Sequence, residues 1–275
     1  MNNNSSRAPL GQHFLQNPRA IKNIIASLDL ANGERVIEIG PGKGALTLPL
    51  AIACKKIGCS IIAIEKDPAL VNQLTSELGS LEDIQVVHAD ALKELPHLID
   101  RLIDEPATYK LVGNIPYYIT GKLLRIISEL PKKPRRTVLM IQREVAERIM
   151  AAPPRMNLLA AAVQVWATPQ LIMSLTPGDF SPPPEVHSAV ISLTTNPAQL
   201  AEDELQNYYS CIRTLFKQPR KTILNNLRAG YPRRTAHDIK NVLLRHGFPE
   251  NARPQDISLP VLIKFASYFA SQGIK

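Results

Sequence analysis

The sequence predicts an α/β fold, with a Rossmann-like domain built on a parallel sheet and a small C-terminal all-helical domain. Short runs rich in β-branched residues alternate with helical stretches over residues 35–143, which is typical of a parallel sheet covered on both faces. A glycine-rich segment, Gly40–Gly44, directly follows the first of these runs. After about residue 197 the apolar residues recur at helical spacing instead, which indicates the second domain.

The strands are predicted in chain order from their apolar runs. Five of them precede residue 143, with helical segments such as Pro68–Leu78 between them. Two more flank the proline stretch Pro182–Pro184. The predicted strands are Arg35–Gly40, Ser60–Glu65, Ile84–His88, Lys110–Gly113, Thr137–Ile141, Pro169–Leu175 and His187–Thr194.

The C-terminal helices are predicted from spacing and from helix-ending residues. A second helix is expected over Arg220–Ala229, a third ends at Gly247, and Ser258 is a suitable cap for the last. The first helix carries apolar residues at helical spacing, namely Leu205, Tyr208, Tyr209, Ile212, Leu215 and Phe216. We therefore divide the chain into a disordered tail (1–10), a larger domain (11–197) and a helical domain (198–275).

The composition favours a globular protein over a membrane-spanning or secreted one. With 275 residues, 45% of them hydrophobic and 20% charged, the chain has the composition of an ordinary globular protein. No apolar run is long enough to cross a bilayer, and the polar N-terminus lacks the apolar segment of a signal peptide, so we expect a cytoplasmic protein. The sequence says little about oligomers, and we assume a monomer. Cys54, Cys59 and Cys211 form no C-x-x-C pair, so we expect reduced thiols and no metal site.

The net charge of +8 is unevenly distributed. Residues 200–275 contain twelve Lys and Arg against six Asp and Glu, whereas residues 1–199 contain twenty against eighteen. Residues 122–155 form a second basic excess, with nine basic and three acidic residues. Such patches favour a polyanionic partner, although a solvated basic face gives the same signal.

The segment Glu38–Gly44 (EIGPGKG) closes the first strand and opens a helix, which is how α/β proteins approach a nucleotide-type cofactor. Glu65, at the end of the second strand, can accept both ribose hydroxyls. Gly40, Gly42 and Ala45 also fit the dinucleotide fingerprint. Gly44 adds a third glycine, and Glu38 suits a cationic ligand better than a pyrophosphate. These two features favour S-adenosylmethionine (SAM).

The end of the fourth strand carries the segment Asn114–Tyr117 (NIPY). Asn114 offers an oxygen acceptor, Pro116 fixes the direction of the Ile115 carbonyl, and Tyr117 offers a flat face. Together they form a cradle for a planar group with an exocyclic amine, such as adenine. An ordinary Asn-Pro loop with a buried Tyr is the alternative for the tetrapeptide alone.

Two further residues are candidates for contacts with planar groups. Asp90, after the third strand, could accept from the adenine amine of the cofactor, or could simply cap a helix. Phe180, before the stiff proline stretch, could stack on a base opposite Tyr117, or could pack beneath the proline loop.

The chain resembles the ribosomal RNA adenine dimethyltransferases (the KsgA/RsmA family) in six motifs in the same order. A single motif would be weak evidence, but their order along nearly the whole chain is specific. The matching segments are Gly11–Leu15 (GQHFL), Val36–Thr47 (VIEIGPGKGALT), Asn114–Tyr117 (NIPY), Phe180–Val190 (FSPPPEVHSAV), Phe216–Leu227 (FKQPRKTILNNL) and Arg253–Leu259 (RPQDISL).

This resemblance implies SAM-dependent N6,N6-dimethylation of adjacent adenines in small-subunit ribosomal RNA during ribosome biogenesis, with the pre-30S particle as partner. It implies that His13 and Leu15 touch the cofactor, that Gly40 lies against its methionine part, and that Asn114 lies between cofactor and base. Glu65 would hold the ribose and Asp90 the adenine.

The sequence departs from the family pattern at three positions. Glu185 and His187 stand in the proline loop where the family often has Lys and Asp, so position 185 lacks the positive charge of the family's RNA contact there. Asn17 replaces a common Asp in the N-terminal arm.

Phosphate contacts are expected from basic residues of the helical domain. The candidates are Arg220, Lys221, Arg228, Arg233 and Arg234. Two other functions share parts of this pattern, namely a resistance-type methyltransferase of large-subunit ribosomal RNA and a non-catalytic ribosome-assembly factor. The proline-loop and C-terminal motifs favour the small-subunit enzyme, and the intact Glu65, Asp90 and NIPY segment favour catalysis.

Overall fold

The computed structural model describes residues 13–78, 81, 83–102, 108–197 and 200–270. The predicted tail, residues 1–10, lies outside the described residues, as do Gly11 and Gln12 of the first motif. The chain forms two compact units. The first contains the described residues up to Ala146 together with Pro169–Thr195, and the second contains Glu147–Thr168 and the described residues from Asn196 onward.

The first unit is built on a seven-stranded sheet, and the predicted α/β class is confirmed. The strand order is β4-β3-β2-β5-β6-β9-β7, and a separate two-stranded sheet pairs β1 with β8. The strands are β1 Phe14–Leu15, β2 Arg35–Ile39, β3 Ser60–Glu65, β4 Ile84–His88, β5 Tyr109–Asn114, β6 Arg136–Gln142, β7 Ala167–Leu175, β8 Phe180–Ser181 and β9 Ser188–Thr195.

Helices cover both faces of this sheet and make up most of the second unit. The helix α9 begins at Ile223 rather than at Arg220, because the Thr222 side chain caps it by accepting from the Asn225 backbone N–H at 3.2 Å. The helices are α1 Pro18–Leu28, α2 Thr47–Ile57, α3 Pro68–Leu78, α4 Ala91–Arg101, α5 Thr120–Glu129, α6 Arg143–Ile149, α7 Leu158–Gln164, α8 Glu202–Leu215, α9 Ile223–Gly230, α10 Ala236–Arg245 and α11 Leu259–Ala270.

Strand direction determines where a site can form. Strands β4, β3, β2, β5 and β6 run parallel, so their carboxyl ends meet at one edge of the sheet. Strand β9 runs antiparallel to β6, and Ser188 at its start pairs with Gln142 at the end of β6. The start of β9 is therefore brought to the same edge, whereas the apolar interiors of β2, β3 and β5 are buried in the core.

The second unit differs from the predicted helical domain in one respect, since it includes residues 147–168. Helix α7 packs on α8 there, and the Tyr208 hydroxyl donates a hydrogen bond to the Ala161 carbonyl at 2.9 Å. None of the described helices is long and apolar enough to span a membrane.

One expectation about the cysteines is wrong. The structure joins Cys54 and Cys59 in a disulfide, and both residues are buried. Helix α2 ends at Gly58 in the left-handed conformation, with φ of 87°. That turn brings Cys59 back under the helix, so that its backbone N–H donates to the Cys54 carbonyl at 3.1 Å. Cys211 is a free, buried thiol.

Candidate active site

A cleft opens at the carboxyl ends of β2, β3 and β5 and encloses about 900 Å³, part of it open to solvent. It brings together most of the residues predicted to bind cofactor or substrate. Those lining it are His13, Leu15, Glu38, Gly40, Gly42, Glu65, Asn114, Ile115, Pro116 and Tyr117. Three predicted site residues, Gly44, Asp90 and Phe180, are not part of the lining.

The glycine loop forms one wall of the cleft. Gly40 and Gly42 have φ of 66° and 60°, a region that disfavours other residues. A Cβ atom at Gly42 would lie 2.9 Å from the Phe14 ring, so the loop and the N-terminal arm meet closely. At Gly44, φ is 80° and a Cβ atom would lie 3.0 Å from the Leu74 side chain. Gly44 therefore shapes the turn without lining the cleft.

Two carboxylates line the cleft, and their surroundings differ. Glu65 accepts three backbone N–H bonds, from Gly42 at 3.1 Å, Lys66 at 2.8 Å and Asp67 at 2.9 Å. Glu38 is only 1% exposed, and its Oε2 atom has no hydrogen-bond partner among the described residues. Burial raises the pKa of Glu38 to about 7, and the charge of Glu65 acts in the same direction.

Asn114 lies at the end of β5, where the parallel sheet places groups for ligands. Its amide nitrogen donates to the main-chain carbonyl of His13 at 2.7 Å. Because a carbonyl can only accept, this bond defines which end of the amide is Nδ2. The Oδ1 atom, which makes no hydrogen bond with the described residues, is left available as an acceptor.

Tyr117 follows in a single-turn helix, Tyr117–Ile119. Its hydroxyl lies 2.6 Å from the Ser188 Oγ atom, and its ring is stacked near His13 with centroids 6.3 Å apart. This contact of Ser188 was not predicted from the sequence. The signal was present, because Ser188 belongs to the FSPPPEVHSAV motif, but no local pattern relates it to Tyr117.

The pairing of the N-terminal arm with β8 is a second feature that was not predicted from the sequence. Phe14 and Leu15 form β1 and pair with Ser181 and Phe180 of β8. Asn17 caps α1 through its Oδ1 atom, while its Nδ2 atom donates to Asp179 at 2.6 Å. The departure at position 17 therefore has a role, because an Asp there would face the Asp179 carboxylate.

Phe180 and Asp90 each make the contacts of the second alternative considered for them, namely core packing and helix capping. Phe180 is 4% exposed and packs in the core cluster, so its ring presents no face to the cleft. Asp90 caps α4 by accepting from the Leu92 N–H at 3.0 Å and pairs with Lys66 at 3.1 Å. Burial alone would raise the pKa of Asp90, but these partners hold it below its usual value.

The second unit carries the basic residues proposed for RNA. Arg220, Lys221, Arg228 and Arg233 are exposed. Arg234 is half-buried instead, because its guanidinium lies 4.8 Å from the centre of the Tyr268 ring and donates to the Tyr268 carbonyl at 3.3 Å.

The loop that bears Arg220 and Lys221 is held by a buried side chain. Asn226 is 4% exposed and accepts from the Gln218 N–H at 3.2 Å. Its amide nitrogen donates to the carbonyls of Gln218 at 3.0 Å and Thr222 at 3.1 Å. Over the described residues, no group of three or more His, Cys, Asp and Glu is arranged to hold a metal ion.

Known proteins are similar to this chain over most of its length. The family described as ribosomal RNA adenine dimethylase matches residues 3–247. A protein of Dehalococcoides mccartyi named ribosomal RNA small subunit methyltransferase A is 37% identical, over 82% of this chain and 75% of its own. A protein of the same name from Koribacter versatilis is 33% identical, over 93% and 91%.

Two solved structures are similar over nearly the whole chain. The 23S rRNA methyltransferase ErmE superposes with a TM-score of 0.72 at 25% identity, covering 94% of this chain and all of its own. A dimethyladenosine transferase from Plasmodium falciparum gives 0.76 at 21% identity, covering 95% and 99%, which supports the fold. The match over residues 3–247, the relatives above 30% identity and the geometry of the cleft lead to one conclusion: the chain belongs to the ribosomal RNA adenine dimethylase family.

Proposed function

We propose that this protein dimethylates the N6 atoms of adjacent adenines in small-subunit ribosomal RNA during ribosome biogenesis, with SAM as methyl donor. The observation that carries the proposal is the Asn114 amide, whose nitrogen is held by the His13 carbonyl at 2.7 Å and whose oxygen is left free at the cleft. The names of the relatives support the small subunit as the source of the RNA.

The cleft fits SAM by its chemistry. The unpaired, buried Glu38 oxygen suits a cationic group, and the glycines at positions 40 and 42 allow a ligand to approach the backbone. Glu65 would hold the ribose hydroxyls, and His13 and Leu15 would cover the cofactor from the arm. Asp90 would contact the adenine from the rim. When bound, SAM supplies an electrophilic methyl group on a sulfonium.

The residues at the end of β5 would prepare the target nitrogen. An adenine N6 atom is a poor nucleophile because its lone pair is delocalised into the ring. The Asn114 Oδ1 atom and the Ile115 carbonyl would accept hydrogen bonds from N6–H, which favours a tetrahedral nitrogen with an available lone pair. Pro116 keeps that carbonyl in a fixed direction.

Tyr117 would hold the plane of the base. Base–aromatic stacking contributes about 1–3 kcal/mol per base. The Ser188 contact fixes the Tyr117 ring before the base arrives, so the side chain loses less conformational entropy when the base binds. Catalysis then comes mainly from positioning and oriented dipoles, with the target base moved out of its stack. Phe180 would support this site from the core rather than by stacking.

The exposed basic residues of the second unit, Arg220, Lys221, Arg228 and Arg233, would contact RNA phosphates of the pre-30S particle, and the protein would act as a monomer in the cytoplasm. Arg234 would support this surface by packing on Tyr268.

The proposal is tested by methyl transfer from labelled SAM to unmethylated small ribosomal subunits, with bare large-subunit RNA in parallel, followed by nucleoside analysis. N6,N6-dimethyladenosine in the small-subunit RNA alone is the expected result. Label in the large-subunit RNA would indicate a resistance-type enzyme instead. Binding to the small subunit without label in either RNA would indicate an assembly factor.

A further inference from the structure

The two carboxylates of the cleft differ in the number of hydrogen bonds that they accept. Glu65 accepts three backbone N–H bonds, so that both of its carboxylate oxygens have a donor. Glu38 has an Oε2 atom without a partner among the described residues. A buried acceptor without a donor destabilises the folded protein. We therefore expect this atom to have a functional partner.

Among the residues that the structure describes, no cation lies beside Glu38. Glu38 lies next to the last residue of β2, with Ala63 of β3 and Val112 of β5 beside it in register. The buried Thr47 hydroxyl of α2 faces it, and its charged neighbour, Glu65, is negative. No Lys or Arg side chain lines the described part of the cleft, where His13 and Tyr117 are the remaining titratable groups.

These surroundings favour the protonated form of Glu38. Burial disfavours the carboxylate more than the Thr47 hydroxyl stabilises it, and burial together with the charge of Glu65 raises the pKa of Glu38 to about 7. A ligand that brings a hydrogen-bond donor with a positive charge reverses both effects, because it pairs the charge and satisfies Oε2. The ammonium group of SAM has both properties, whereas its sulfonium has no hydrogen to donate.

We infer that Glu38 holds a proton while the cleft is empty and loses it to solvent when the cofactor's ammonium group enters, so that cofactor binding releases about one proton. This inference rests on the proposed function, since it takes SAM as the ligand. The bond that breaks is the carboxyl O–H of Glu38, and the proton goes to the buffer. The carboxylate and the ammonium group then form an ion pair.

The test is calorimetric titration of the full chain with SAM at pH 6, in buffers of different ionisation enthalpy. The slope of the observed heat against that enthalpy counts the protons released. We expect close to one proton per SAM bound at pH 6, since a group with a pKa of about 7 is mostly protonated there. S-adenosylhomocysteine keeps the ammonium group and lacks the sulfonium, so it should release the same amount.

Two variants identify the source of the proton. Glu38→Gln resembles the protonated side chain in shape and charge, so it should fold, and it should release none on binding. Glu77→Gln, the same change at an exposed carboxylate of α3, is the matched control and should leave the release intact.

Three results would overturn the inference. They are SAM binding to the wild type without proton release, unchanged release from Glu38→Gln, and release with SAM but not with S-adenosylhomocysteine. Absence of any SAM binding by the wild type would overturn the proposed function as well, and so the two failures are distinguishable.

Discussion

The amide nitrogen of Asn114 donates a hydrogen bond to the main-chain carbonyl of His13, across 2.7 Å and 101 residues of sequence. The bond joins the end of β5 to the N-terminal arm. The arm is in turn paired with β8 through Phe14 and Leu15, and the His13 ring contacts the Pro182 carbonyl at 2.8 Å. The orientation of Asn114 therefore depends on the arm and on the proline loop together.

The hydrogen bond between Asn17 and Asp179 can be tested by exchanging the two side chains. Asn17→Asp keeps a good helix cap but replaces the donor to Asp179, 2.6 Å away, by a second carboxylate. We expect a loss of about 1–3 kcal/mol in unfolding free energy and weaker SAM binding. The double variant Asn17→Asp with Asp179→Asn should recover most of both, as measured by thermal unfolding and calorimetry. Equal defects in the single and double variants would show that the contact does not hold the arm.

The contact between Tyr117 and Ser188 calls for a double-mutant cycle. Tyr117→Phe and Ser188→Ala each remove the 2.6 Å contact, and each should lower kcat/KM by an amount equivalent to about 0.5–1.5 kcal/mol. The double variant should be no worse than either single one, because the interaction is already lost. Tyr117→Ala should cost more, since the stacking face is lost too. Additive losses in the cycle would mean that the two groups act separately.

The stability of the ligand-free protein should depend on pH through Glu38. Its folded pKa, about 7, lies above the ordinary value of 4.5. The contribution of the protonated form is fully present below pH 4.5 and is lost as the pH rises through 7. Between pH 5 and pH 8 the wild type should therefore lose about 2–4 kcal/mol of unfolding free energy relative to Glu38→Gln. Parallel stability profiles for the two proteins, from denaturant titrations at each pH, would contradict this assignment.

Substitutions of the basic residues of the second unit should have two kinds of effect, one on RNA binding and one on stability. Arg220→Ala and Lys221→Ala should weaken RNA binding without changing stability, because both side chains are exposed. Each lost phosphate contact should reduce the slope of log affinity against log salt by about 0.7–0.9. Arg234→Ala should instead lower the melting temperature, since its guanidinium packs on Tyr268. Lys240→Ala, which removes a surface ion pair with Glu250, is the control for charge alone. A salt slope unchanged in all variants would exclude the proposed contacts.

Features that follow from local periodicity were predictable from the sequence. Alternating strands and helices, the glycine turn after β2 and the acidic residue ending β3 are each encoded within a few residues. The direction of parallel strands then places Glu38, Glu65 and Asn114 at one edge without further information. The predicted fold and family are confirmed for this reason.

Features that depend on distant contacts were not predictable. Ser188 meets Tyr117 only because β9 runs antiparallel to β6, and nothing local encodes that direction. Phe180 was a candidate for base stacking, but β1 pairs with its strand and the ring turns into the core. Arg234 has the same side chain as its exposed neighbour Arg233, and only the position of Tyr268 in α11 distinguishes them.

The measurement that tests the account most directly is single-turnover methyl transfer by Asn114→Ala, with saturating SAM and unmethylated small subunits. If the Asn114 oxygen prepares the adenine nitrogen, the rate should fall by about 10²–10³-fold, the cost of removing one oriented dipole from a reacting centre. SAM affinity and RNA affinity should each stay within a few-fold of the wild type. A variant that binds both ligands and transfers methyl groups at the wild-type rate would contradict the central role of Asn114.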